Sequence, residues 1–147
     1  MAIRFFNSNI KFNLKNKRII KDWIKSVISY NKKSVGDINY IFTSEDEILE
    51  INNKYLNHNF YTDIITFPYV KEKKISADIY ICIDIVQSNA NEFNQKFHKE
   101  LCRVIVHGIL HMVGYDDQNK KEQQEMRKAE NFLLNKLNES LLHAKKI

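Results

Sequence analysis

His98-Lys99-Glu100-Leu101-Cys102-Arg103-Val104-Ile105-Val106-His107-Gly108-Ile109-Leu110-His111-Met112-Val113-Gly114-Tyr115-Asp116-Asp117 is the stretch from which the rest of the chain is best read. From Val104 to Val113 every residue is apolar or glycine except His107 and His111. A helix that is hydrophobic nearly all round is buried, so this segment is expected at the centre of the fold. The two histidines are one turn apart and share a side of that helix.

Two neutral imidazoles in apolar surroundings each bring one donor and one acceptor, and an unpaired one costs about 1–3 kcal/mol. A metal ion takes one nitrogen of each ring and leaves the other for a neighbouring acceptor. Gly114 stands where a helix commonly ends in a left-handed residue, which lets the chain double back and bring Asp116 or Asp117 to the rings. Two histidines and a carboxylate with an open fourth position make a catalytic pattern for zinc. A structural zinc site normally closes with a cysteine, and neither Cys82 nor Cys102 is placed to do so. A lone histidine on an apolar face is usually a hydrogen-bonded core residue. The spaced pair followed by glycine and adjacent acids favours metal instead. The metallopeptidase pattern H-E-x-x-H needs a glutamate beside its first histidine, and here that residue is Gly108, which can abstract no proton. Peptide hydrolysis is disfavoured and stays open only through another acid, such as Asp78.

Outward from this segment, Ser76 to Ile85 alternates isoleucine with polar residues and predicts a strand with one apolar face. Asp63 to Pro68 predicts a short strand that the proline ends, and Tyr69 to Lys74 a basic hairpin or loop. Ile38 to Thr43 is rich in β-branched and aromatic residues, and Ile3 to Phe6 is a further strand candidate. Ile19, Ile20, Trp23, Ile24, Val27 and Ile28 give helical spacing between about Leu14 and Tyr30. Ser44 followed by Glu45, Asp46 and Glu47 is a helix start with capping-box spacing, for a helix that runs to about Tyr55. A polar loop, Asn57-His58-Asn59, follows it. Helix resumes near Gln87, and a last helix from about Asn119 to Leu142 carries a stripe of Met126, Ala129, Phe132, Leu133 and Leu137. The sum is one α+β domain over 1–147: a small mixed sheet of about four strands packed with four to five helices, the histidine helix central.

The chain has 147 residues, enough for one domain with a real core. Its net charge is +5, and 19 of its 23 cations are lysine. That balance suits an anionic partner such as nucleic acid, and equally suits mere solubility. No apolar run approaches the roughly 20 residues that span a bilayer. The first residues lack the pattern of a signal peptide. With only two cysteines, a reducing cytoplasm is the simplest expectation.

The segment His107 to Asp117 resembles the metal signature H-G-x-L-H-x-x-G-Y-D-H of the bacterial ribosomal RNA maturation endoribonucleases, the YbeY family. Ile51-Asn52-Asn53-Lys54-Tyr55 and Thr62 to Pro68 resemble that family's second block, and Ala77-Asp78-Ile79 its third, usually G-D-I. The likeness runs from about Asn39 to Asn131. It implies a small mixed sheet with a central metal helix. It implies one zinc ion held by His107, His111 and the residue aligned with the family's third histidine, here Asp117. It also implies cleavage of single-stranded RNA in small-subunit ribosomal RNA processing and ribosome quality control. The implied partners are ribosomal RNA, the small subunit, ribosomal proteins and an assembly GTPase.

Two departures stand out. Aspartate at 117 ligates through oxygen, makes a bound water less acidic than a third imidazole would, and widens the metal choice toward iron or manganese. Leu56 occupies the place of a family arginine that could clamp a phosphate. His58, Lys54 or a residue of the Lys71–Lys74 loop are the candidates to replace it. Asp78 is the candidate to orient a water or a metal-bound histidine, and Lys54, Lys71, Lys73 and Lys74 are the candidates to hold RNA. A non-catalytic assembly factor with a structural metal and a metallopeptidase-like hydrolase are the competing readings.

Overall fold

The computed structural model describes residues 2–57, 62–71 and 73–145, with Val70 and Lys71 described by backbone alone. Among the described residues nine elements follow in order: β1 (Ile3–Asn7), α1 (Lys17–Tyr30), β2 (Ser34–Thr43), α2 (Glu45–Leu56), β3 (Ile64–Lys71), β4 (Lys74–Cys82), α3 (Ile83–Glu92), α4 (Phe97–Met112) and α5 (Lys120–Lys145). The four strands form one mixed sheet in the order β1-β2-β4-β3. β1 and β2 are parallel, as are β2 and β4, while β3 runs antiparallel to β4.

Alternation along β4 sorts its side chains onto two faces. Ile75, Ala77, Ile79 and Ile81 are buried in the main core with α4, whereas Tyr80 and Cys82 lie on the α2 side with Ile48, Ile65 and Phe67. α4 lies across the first face as expected, buried along Leu101–Val106 and Gly108–Leu110. Two details bring it close. A Cβ on Gly108 would stand 3.2 Å from Ile64 Cδ1 and 3.3 Å from Thr66 Oγ1, so glycine is what admits β3 at this distance. The fully buried Tyr40 donates its hydroxyl to the Ile105 carbonyl at 3.0 Å, pinning helix to sheet. α1 buries Ile20, Trp23, Ile24, Val27 and Ile28, and Trp23 Nε1 donates to the Leu133 carbonyl of α5 at 2.9 Å. Ser44 caps α2 by accepting from the Glu47 amide at 3.3 Å.

Three expectations are corrected. Pro68 does not end β3: the strand continues to Lys71 and closes a hairpin on β4. β3 is the edge of the sheet, where proline's missing N–H costs the ladder nothing. β4 ends at Cys82, and Ile83 and Ile85 belong to the first turn of α3, so the isoleucine alternation outlasts the strand. On α5 the buried line is Met126, Glu130, Leu134 and Leu137, while Phe132 is 61% exposed.

Candidate metal centre

α4 ends at Met112, and Gly114 takes φ 119°, a backbone conformation that L side chains rarely adopt. The Tyr115 amide donates back to the Leu110 carbonyl at 3.0 Å, closing the turn. Asp116 Oδ1 accepts from the Asp117 amide at 2.8 Å, and Asn119 Oδ1 accepts from the Glu122 amide at the head of α5. The turn thereby selects between the two acids left open by spacing: Asp117 faces the histidines, and Asp116 shapes the loop. Tyr115 is 37% exposed on the outside of this turn.

His107 Nε2 and His111 Nε2 stand 3.0 Å apart. Asp117 Oδ2 is 3.5 Å from the first and 3.3 Å from the second. A tetrahedral ion with bonds of about 2.0–2.1 Å sets its donors roughly 3.3 Å apart, so this triangle is close to the size a zinc-like ion requires. The donor set, two imidazoles and one carboxylate, fits a divalent metal with a position left for water or substrate.

A fourth residue completes the arrangement. His107 Nδ1–H donates to Glu130 Oε2 at 2.6 Å, which leaves Nε2 as the lone-pair nitrogen turned to His111 and Asp117. Glu130 is nearly buried, and its other oxygen accepts from Arg103 Nη1 at 3.1 Å. Arg103 also donates to Asn131 Oδ1 at 2.9 Å and lies 3.5 Å from Glu100 Oε1. Burial works against the charge on His107, but the hydrogen bond and charge of Glu130 outweigh it and hold the imidazole above its ordinary pKa. Burial likewise works against the Glu130 carboxylate, yet His107 and Arg103 hold it below its usual range. Asp63, at the head of β3, is pushed up by burial while His107 draws it down; its Oδ2 accepts from Asn89 Nδ2 at 3.5 Å.

The remaining candidates are dispersed. Asp78 lies on the α2 side of the sheet, where its carboxylate accepts from Tyr69 Oη at 2.7 Å and Asn39 Nδ2 at 3.0 Å. It faces away from α4, and the water-orienting role proposed for it falls away. His58 lies outside the described residues, as does the side chain of Lys71. Lys54 is on the α2 side, over the Tyr55 ring. Lys73 is exposed in the hairpin turn, and Lys74 shares a groove with His111. Leu56 is 41% exposed at the end of α2, and the buried Arg103 is committed to Glu130, so it does not stand in for the missing arginine. His98 is half-buried beside Cys102. Burial pushes the Cys102 thiol up to about 12, in keeping with a packing role.

The family model described as "Endoribonuclease YbeY" matches residues 2–138. The chain belongs to this family. An endoribonuclease YbeY from Azobacteroides pseudotrichonymphae is 47% identical over 138 residues, covering 93% of this chain and 99% of its own. Another, from Parabacteroides distasonis, is 43% identical over 134 residues, covering 91% and 94%. Among solved structures, the solution structure of a Thermotoga maritima protein superposes with a TM-score of 0.65 at 31% identity, covering 97% of this chain and 93% of that one. The α+β fold and the YbeY resemblance read from the sequence are both upheld.

Glu130 was not found by sequence reasoning, although a signal exists. It stands four residues from Met126 and four from Leu134, a lone acid inside the apolar line of α5.

Proposed function

We propose that this protein is a metal-dependent endoribonuclease that cuts single-stranded RNA, acting as one domain over 1–147 in the cytoplasm. Its substrate in this reading is ribosomal RNA of the small subunit, with roles in rRNA maturation and ribosome quality control beside ribosomal proteins and an assembly GTPase. Family membership supports the activity class. The observation that carries the metal dependence is the 3.0–3.5 Å triangle of His107, His111 and Asp117 at the mouth of open grooves. No helix among the described residues is long and apolar enough to cross a membrane.

Zinc, when bound there, supplies a Lewis acid for a phosphoryl oxygen and lowers the pKa of water toward about 7. The chain's own residues do the rest. Glu130 holds the proton of His107 on Nδ1 and so keeps Nε2 available. Asp117 adds a negative charge to the donor set, which favours iron or manganese more than three imidazoles would. Arg103 neutralises Glu130 from behind and keeps that charge from repelling an anionic substrate.

Leu56 favours one competing reading, a non-catalytic assembly factor, because leucine cannot steady a developing charge. Cleavage of a single-stranded RNA by the intact protein and by His111→Ala separates the two. Cleavage abolished in the variant supports the nuclease. No cleavage by either, with a His107→Ala/His111→Ala variant still co-sedimenting with ribosomal subunits, supports the assembly factor.

A further inference from the structure

The three donor atoms stand where two grooves meet. One, of about 1010 Å³, starts at His107 and Asp117 and runs along the first turns of α5 past Lys120, Lys121, Arg127 and Lys128. The other, of about 470 Å³, lies on the His111 side between Lys33, Tyr69 and Lys74.

The first groove is strongly basic for a reason that bulk composition does not supply. Four cations line it against three carboxylates, of which Asp117 faces the two histidines and Glu130 is taken by His107 and Arg103, so that Glu125 is the one turned to neither. The nearby acids Asp116 and Glu122 line a separate depression around Gly114. Among the described residues no carboxylate comes within ion-pair distance of Lys120, Lys121, Arg127 or Lys128, in contrast to the buried Arg103. The cations come as two adjacent pairs seven residues apart, which is two helical turns and about 10 Å along the axis. A single phosphate cannot meet both pairs, whereas a chain of phosphates can. The groove begins at the metal ligands, so whatever binds it is led to the metal.

We propose that Lys120, Lys121, Arg127 and Lys128 form a backbone track on α5 for single-stranded RNA, which leads the strand to the His107–His111–Asp117 cluster. This rests on the nuclease reading for the identity of the polyanion. On the far side of the cluster, Lys33 and Lys74 continue the positive lining. The track meets phosphates, so it holds RNA without reading its sequence.

The test compares zinc-loaded intact protein with two triple variants of equal charge change: Lys120→Gln/Lys121→Gln/Lys128→Gln in the track, and Lys11→Gln/Lys15→Gln/Lys17→Gln away from both grooves. Binding of a short fluorescein-labelled oligouridine is followed by anisotropy across a salt series, and its integrity on a denaturing gel. The track variant is expected to bind about tenfold or more weakly. Its log–log salt slope should be shallower by about 0.7 for each phosphate that no longer meets a lysine, while the other variant stays within about twofold of the parent. Equal weakening in the two variants, an unchanged track variant, or no binding by the parent overturns the track. Bound but uncut RNA that still depends on the α5 lysines upholds the track and overturns the nuclease reading. Cut RNA with no such dependence does the reverse.

Discussion

Glu130 on α5 accepts a 2.6 Å hydrogen bond from His107 on α4, twenty-three residues away in sequence. This bond makes α5 part of the candidate metal centre although it supplies none of the three clustered donor atoms. It fixes the tautomer of His107 and links the centre through Arg103 to Glu100 and Asn131. Replacing Glu130 by glutamine keeps the shape and weakens the acceptor. Zinc affinity of Glu130→Gln should fall about 10–100-fold, as measured by competition with a chromophoric chelator. Glu130→Ala also removes the shorter of Arg103's two ion pairs, leaving Asn131 and Glu100 as partners, and should lower unfolding free energy by about 1–3 kcal/mol in denaturant melts of metal-free protein.

The same pair sets opposite pH trends for metal-free and zinc-loaded protein. His107 is raised in the folded state, so its contribution to stability is complete below its unfolded value of about 6.5 and is lost as pH rises through the folded value. Glu130 is lowered, so its contribution is present above its unfolded value and is lost as pH falls through the folded one. Metal-free protein should therefore lose stability as pH is raised from about 6 to about 8. Zinc needs Nε2 unprotonated, so the stabilisation it confers should grow over the same range. Thermal melts with and without zinc at the two pH values check this, and parallel trends would refute it.

Aspartate at 117 leaves a testable mark on metal choice. Asp117→His should raise the ratio of zinc to manganese affinity, since imidazole suits zinc and carboxylate suits harder ions. Asp117→Ala, with two ligands left, should bind neither tightly. Competitive titration of the two metals on parent and variants reads both outcomes.

Gly114 carries the turn that delivers Asp117. With φ at 119°, Gly114→Ala forces a side chain into a conformation worth about 1–3 kcal/mol of strain, although open space surrounds the added carbon. The expected result is a lower melting temperature together with weaker zinc binding. A melting temperature equal to the parent's would show that the turn relaxes freely.

Much of this was legible because it was local. Two polar residues in an apolar run from Val104 to Val113 announced both the central helix and the histidine pair on it. The face of Asp78 was also legible: its neighbour Ile79 packs on the metal helix, and in a strand adjacent residues point opposite ways. Glu130 was harder, because its meaning depends on a partner across the fold and α5 carries many other charges. Element ends escaped for physical reasons too. Alternation in sequence cannot tell a strand from the first turn of the helix that follows, which is why Ile83 and Ile85 misled. Proline stops a central strand but not an edge one, and sequence does not say which strands are edges.

Pro68 has one more effect. A second molecule trying to zip onto the outer side of β3 would meet a position with no amide hydrogen to offer, and its ladder would be interrupted there. The residue that sits harmlessly at the border of this sheet is thus a guard against self-association of the folded chain.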